Sequence, residues 1–187
     1  MKQSYDFNIK QIKNLSLEEK TSRQKNLDLF YKSGFPSKQA EDWKFTDLDL
    51  ILNKNFENIS NEVNFESNKE LETIKNFEHN YIFLNNGKII STNFEYEEKK
   101  KILIKDFDLK EKTNLDPFNA LTLLNSALSS GGFSLEVTKN YKLKRPLVIY
   151  NYFSKDLKNK ILNNKNSIKL NEGSELMLID YNDGHVQ

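Results

Sequence analysis

Apolar and polar residues alternate with different periods in different parts of the chain, and the changes of period outline its elements. The first regular stretch opens with Ser16-Leu17-Glu18-Glu19. This is a capping box, in which the Ser16 hydroxyl accepts from the backbone near Glu19 and Glu19 reaches back. A helix is expected to run from there to about Lys32, with Leu27, Phe30 and Tyr31 at i, i+3 and i+4 forming one apolar stripe. Gly34 suits the left-handed residue that ends a helix, and Pro36 blocks continuation. The stretch "EDWKFTDLDLIL" follows and holds the only tryptophan. Trp43 and Phe45 on one side, Asp42 and Lys44 on the other, read as period two, so an extended anchor segment is expected. A Trp43 buried in that way would cost about 3–5 kcal/mol on replacement by Ala. Thr46 begins a second capping box, and a short helix should follow with Leu48, Ile51 and Leu52 inward. From about Asn53 to Asn76 the pattern is polar and aperiodic, which reads as connecting structure.

In "YIFLNNGKIIST" two β-rich runs flank Asn86-Gly87, the pair that best tolerates the positive φ angles of a type I′ turn, so a hairpin is expected. "KKILIKDF" reads as a further strand. "DPFNALTLLNSALSSGG" is the strongest helix signal, with Asp116 as cap, Pro117 in the first helical position and Gly131 as terminator. Phe118, Leu121, Leu124, Ala127 and Leu128 give its inward face. From Gly132 onward only short β-like runs remain. Phe133, Leu135 and Val137 alternate, whereas "PLVIYNYF" is apolar on both parities and so is expected to be covered on both faces. Strands without an intervening helix fit a sandwich, a barrel or the opening coils of a β-solenoid. The closing "YNDGHVQ" looks like a turn and the start of another strand. The expectation is therefore a chain that forms the front part of a longer polypeptide or belongs in a complex, with Val186 not sealed into a compact end.

Composition narrows the chemistry. With 187 residues, 28 basic and 27 acidic side chains and a net charge of +1, the chain lacks the basic excess of a nucleic-acid binder. It has no cysteine, which removes thiolate chemistry, sulfur ligation of metals and disulfides. No signal-peptide core and no run approaching the ~18 apolar residues of a membrane span is present, so a soluble cytoplasmic protein is expected. The glycines fit no phosphate-binding loop and no G-x-S-x-G elbow occurs. The two histidines, His79 and His185, are too far apart for a paired metal site. His79 reads as a loop or surface residue, and His185, beside Asp180 and Asp183, as a polar turn residue. Adjacent acids, as in "LEEK" and "AEDW", read as solvated charges, and the many aromatics as core. No catalytic, cofactor-binding or metal-binding residue is assigned.

The turn at Gly34 and Pro36 followed by Glu41, Trp43, Lys44, Phe45 and Thr46, with Leu48 and Leu52 in the next helix, resembles the N-terminal signature of the SufD family, subunits of the SufBCD iron–sulfur cluster assembly complex. Later segments, "LNSALSSGGFSLEV", "KRPLVI" and "EGSELMLIDY", resemble that family's passage from a helix into the first coils of a parallel β-helix. The resemblance extends from about residue 20 to the end, with a divergent middle. The paralogous SufB subunit opens differently.

The resemblance implies an α+β N-terminal domain over residues 1–130, helices plus a β-hairpin, and the start of a right-handed parallel β-helix (β-solenoid) over residues 131–187. It implies a non-enzymatic scaffold that partners a SufB-like paralogue and the ATPase SufC. An iron–sulfur cluster and a flavin are implied for the assembled complex, and no cofactor for this chain. Gly34, Pro36, Glu41, Trp43, Lys44, Phe45 and Thr46 carry over as a structural motif only. The cluster-related residues and the SufC-contacting helices of the family fall beyond residue 187. Two rival readings stay open: a polysaccharide-active β-helix enzyme, against which stands the lack of stacked Asp/Asn rungs, and a stand-alone protein-interaction module.

Overall fold

A computed structural model describes residues 4–56, 58–62, 70–107 and 119–184. The chain divides into two compact units: Met1–Glu62 with Leu109–Ser130 and Asn159–Asn163, and Val63–Asp108 with Gly131–Lys158 and Asn164–Gln187.

In the first unit, strand β1 (Ser4–Asp6) leads through a 3-10 turn at Ile9–Gln11 into helix α1 (Leu17–Ser33). The expected capping box is formed: the Glu19 N–H donates to Ser16 Oγ at 3.2 Å, and the Ser16 N–H to Glu19 Oε2 at 2.7 Å. The Gly34 N–H closes the helix on the Phe30 carbonyl at 2.7 Å, with Gly34 at φ +70°. Of the expected stripe, Leu27 and Phe30 are buried, but Tyr31 is 45% exposed. Its hydroxyl leaves the core to meet the backbone of Phe7, accepting from the N–H at 3.3 Å and donating to the carbonyl at 3.1 Å.

Helix α2 (Leu48–Asn55) is capped one residue later than Thr46: Asp47 accepts from the Leu50 N–H at 2.9 Å. A carboxylate is the better partner for that exposed helix start, because it adds a charge–dipole term to the hydrogen bond. Leu48, Leu52 and Phe56, spaced by four, lie against the core, while Ile51 is 45% exposed. The supposed connection after residue 53 contains strand β2 (Asn58–Ser60), which pairs in parallel with β1, Tyr5 opposite Ile59. Its three residues show too little periodicity to be read from sequence, yet Ile59 is 2% exposed.

Helix α3 (Ala120–Leu128) is capped by Asn119, which accepts from the Thr122 N–H at 3.1 Å. The expected cap Asp116, with Pro117 and Phe118, lies outside the described residues. Leu123 joins Leu124, Ala127 and Leu128 in the core, and Leu121 packs beside them. Gly131 is not the terminator. The helix stops at Leu128, and the Ser130 N–H donates to the Asn163 carbonyl at 3.2 Å, so backbone pairing draws the chain out of helix early. The buried core of this unit mixes rings with aliphatic side chains: Phe30 and Phe35 meet edge to face at 5.0 Å with Phe7 beside both, among Leu27, Ile59, Leu123, Leu124, Ala127 and Leu128.

Among its described residues the second unit has seven strands: β3 (Asn80–Asn85), β4 (Lys88–Asn93), β5 (Ile102–Asp106), β6 (Phe133–Val137), β7 (Leu147–Phe153), β8 (Ser167–Leu170) and β9 (Leu178–Gly184). The expected hairpin joins β3 to β4, with Asn86 at φ +46° and Gly87 at φ +79°. Its tip is held: the Asn86 side chain donates to Ser154 Oγ at 2.8 Å and accepts from the Ser154 N–H at 3.0 Å. One sheet has the order β4-β3-β7-β9, the other β5-β6-β8. The pairs β3·β7, β7·β9 and β6·β8 are parallel. Phe133, Leu135 and Val137 alternate into the core against Ile82, Leu84, Leu147 and Ile149. As its composition suggested, β7 is buried on both faces: Leu147 and Ile149 join that core, while Val148 and Tyr150 pack with Phe83 on the other side.

The parallel registers place like elements above one another. Leu135 lies opposite Ile168 and Val148 opposite Ile179, and single bridges at Gly131–Asn164 and Lys142–Glu175 extend the pairing into the turns. Glu136 meets Lys169 at 3.0 Å across the same ladder, and Lys139–Glu172 and Lys142–Glu175 repeat the arrangement in the turns. Such exposed pairs favour register more than they add stability. Gly132, at φ +122°, lets the backbone approach Lys165, whose carbonyl oxygen would lie 1.8 Å from a Cβ.

Candidate functional site

The motif read from the sequence lies in the first unit, on the loop between α1 and α2. Gly34 begins it, and the Pro36 carbonyl accepts from the Asp49 N–H at 3.3 Å, tying the loop to the helix that follows. Asp49 also accepts from the Tyr5 hydroxyl at 3.3 Å. Burial, then the adjoining carboxylate, pushes that hydroxyl up to about 12. Glu41–Trp43 form a 3-10 turn, and Lys44 continues in a helical conformation. The period-two reading is therefore overturned. The Thr46 N–H donates to the Trp43 carbonyl at 2.8 Å, and a chain turning this tightly cannot place Trp43 and Phe45 on one face. Trp43 is half-buried, Phe45 is 88% exposed, and the Lys44 ammonium lies 5.1 Å from the centre of the Phe45 ring. Glu41 and Thr46 are exposed beside them. The motif is a turn that offers an aromatic ring outward.

Sequence reasoning missed the polar centres of the second unit. His79 is a loop residue, but it is 7% exposed rather than a surface group. Its Nδ1 lies 2.6 Å from the Phe77 carbonyl and its Nε2 2.7 Å from the Tyr150 hydroxyl. A carbonyl only accepts, so Nδ1–H donates to it, and in that tautomer Nε2 accepts the hydrogen bond that the Tyr150 O–H donates. The Tyr150 oxygen accepts in turn from the Ile74 N–H at 2.9 Å. Burial pushes the Tyr150 hydroxyl up, outweighing the pull of that N–H. No spacing could have linked residues 79 and 150; only the parallel pairing of β3 with β7 does so.

Glu97 is the second such centre. Its carboxylate accepts from Asn80 Nδ2 and the Tyr141 hydroxyl, each at 2.7 Å, from the Lys144 N–H at 3.0 Å and from the Arg145 N–H at 3.2 Å. Burial raises its pKa, but these donors together hold it below the usual carboxylate value. The arrangement fastens a turn and stabilises a charge.

A cleft of about 220 Å³ opens on the outer face of β7 and β9. Tyr150, Tyr152, Tyr181 and Phe83 line it with rings, and Glu70, Glu72 and Asp183 with carboxylates. Among the described residues no group of three or more His, Asp or Glu side chains is placed to hold a metal ion. The cleft does not fit a flavin nucleotide, because its carboxylates oppose a phosphate and no described Lys or Arg lines it. His185 lies outside the described residues, as does Val186. No helix among the described residues is long and apolar enough to cross a membrane.

The chain finds no match among the curated proteins. A family profile described as the SufBD protein N-terminal region matches residues 2–103. That match spans β1 through the start of β5, including the Trp43 turn, the aromatic core of the first unit and the Asn86-Gly87 hairpin. Since it covers more than half of the 187 residues, the chain belongs to the SufBD family of the Suf iron–sulfur cluster assembly system.

Proposed function

We propose that the chain serves as the N-terminal part of a SufD-like scaffold subunit, which works by shape and carries no catalytic group of its own. Membership of the SufBD family brings association with Suf complex partners in general. The finer reading is that a SufB-like paralogue and the SufC-like ATPase are those partners, and that the iron–sulfur cluster is cargo of the assembly. One observation carries it: the family match ends near β5, and the strands that follow pair in parallel, β6 with β8 and β7 with β9. That register supports reading residues 131–187 as opening coils of a right-handed parallel β-helix, a form suited to rigid display of a surface. Phe45, 88% exposed within the signature turn, is the ring of the motif that a partner could meet.

The test is co-purification. The tagged chain, co-expressed with the SufB-like subunit and the ATPase of its source, is expected to bring both down, and the assembly to hold iron and acid-labile sulfide. Failure of the chain to retain the SufB-like subunit would overturn the SufD-like reading. Retention without iron or sulfide would favour an interaction module outside cluster assembly.

A further inference from the structure

In the first unit, helix α1 and the 3-10 turn at Ile9–Gln11 enclose an open groove of about 630 Å³. Its floor is aliphatic. Ile9 and Leu29 are half-buried there, packed against the core on their inner sides. Lys20, Lys25 and Lys32 stand along it, all exposed. From Lys20 to Lys32 the helix rises about 18 Å, so the groove is long rather than deep.

Two observations separate this groove from an ordinary solvated helix face. The first is unmatched charge. In the second unit Lys139, Lys142, Lys144, Arg145 and Lys169 each meet a carboxylate. Among the described residues none of the three groove lysines does. Asp28 follows Lys25 by three residues and precedes Lys32 by four, spacings at which helical ion pairs form. Its carboxylate accepts from Gln24 Nε2 at 2.8 Å instead. The second observation is apolar. Leu17 is 82% exposed, and the helical period puts it on the same face as Gln24 and Asp28, at the head of the groove. An exposed leucine and an aliphatic floor beside unmatched lysines complement an acidic chain that carries aliphatic side chains. A single phosphate fits poorly, because ammonium groups spread over about 18 Å do not converge on one ion. A nucleic acid fits poorly too, since it stacks its bases on rings and no described aromatic residue lines the groove.

We propose that this groove docks an acidic segment of a partner polypeptide, its carboxylates against Lys20, Lys25 and Lys32 and an aliphatic side chain on Ile9 and Leu29. Charge steers the segment to the groove, and the aliphatic contact holds it there. The proposal stands independently of the scaffold reading.

Fluorescence anisotropy with the full chain tests it, using a labelled peptide of sequence EELLEELLEEL, its counterpart with every leucine changed to serine, and an oligothymidylate. Saturable binding of the leucine peptide is expected, with a dissociation constant of about 0.1 mM or tighter at low salt. Raising the salt to about 0.5 M should weaken it at least fivefold. Lys20→Glu and Lys25→Glu change exposed side chains, and each is expected to weaken binding about fivefold to tenfold with the far-ultraviolet circular dichroism unchanged. Lys88→Glu, which makes the same charge change on an exposed residue of β4, is expected to leave binding unaltered. The serine peptide should bind several-fold more weakly than the leucine peptide. No saturable binding, equal affinity in the Lys20→Glu and Lys25→Glu variants, or an equal loss in Lys88→Glu would each overturn the proposal. So would equal binding of the serine peptide, which would leave the aliphatic floor without a role. Tighter binding of the oligothymidylate would overturn it in favour of a nucleic acid. Self-association of the chain that Lys25→Glu abolishes would overturn it in favour of a second copy.

Discussion

The two units bury their residues by different rules. The first closes a small core around Phe7, Phe30 and Phe35, with α1, α2, α3 and a parallel pair of three-residue strands. The second stacks strands, and its apolar positions follow from register: Phe133, Leu135 and Val137 all face inward because the pleat has period two. The lesson is where each unit is vulnerable. In the first, single side chains with no substitute hold separate elements together. In the second, backbone pairing is distributed, and polar centres such as Glu97 fasten the turns between strands.

Phe30→Ala breaks the comparison hardest. Phe30 is fully buried and touches Phe7 and Phe35, so the loss is expected at about 3–5 kcal/mol by urea unfolding. A loss below about 1 kcal/mol would mean that the aromatic core is not what holds the first unit.

Arg23 comes next. It is 6% exposed, and its Nη1 donates to the carbonyls of Ala127 and Ser129, each at 2.9 Å, at the C-terminal end of α3. A guanidinium there satisfies carbonyls that the helix leaves open and complements its dipole. Burial pulls its pKa down, against the weaker opposing effect of Glu19. Arg23→Ala is expected to cost about 2–4 kcal/mol, because two buried carbonyls lose their donor. Amide hydrogen exchange should locate the loss in α3.

Glu97→Gln tests the second unit more gently. The amide keeps some acceptor capacity and loses the charge, so about 1–2 kcal/mol is expected. The pH dependence gives the sharper reading. Glu97 has a lower pKa folded than unfolded, so its contribution is present above the unfolded carboxylate value, about 4.3, and is lost as pH falls through the folded one. Wild type should therefore lose more stability than the variant between neutral pH and that acid range. Parallel curves for the two proteins would refute this role.

The smallest effects belong to the motif turn. Half-buried Trp43 should cost about 1–2 kcal/mol on change to Ala, less than the 3–5 kcal/mol of a fully buried aromatic. Phe45→Ser should move stability by no more than about 0.5 kcal/mol, since the ring is 88% exposed. If Phe45 is a contact residue, the same change weakens retention of the SufB-like partner in the co-purification.

Elements with a local cause were legible in the chain. The Ser16 capping box, the Asn86-Gly87 turn and the alternation in β6 each arise from residues within a few positions of one another. Misreadings came where several local solutions compete. Trp43-Lys44-Phe45 alternates like a strand, but Glu41–Trp43 forms a 3-10 turn, with backbone bonds from Trp43 to the Ala40 carbonyl and from Thr46 to the Trp43 carbonyl. Thr46 and Asp47 are both competent caps, and the carboxylate prevails. Ser129 and Ser130 leave α3 before Gly131 because Asn163, far along the chain, offers a backbone partner.

What the amino-acid order determined alone is the set of short-range structures and the family, because caps, turns and a signature stretch depend on neighbouring residues. The cleft, the His79–Tyr150 pair, the Glu97 centre and the Arg23 cap on α3 were decided only by tertiary structure. Each joins groups more than 25 positions apart, held together by strand register and helix packing. A side chain's nature says what it can bond to. Which partner it meets is set by the backbone pairing that carries both of them there.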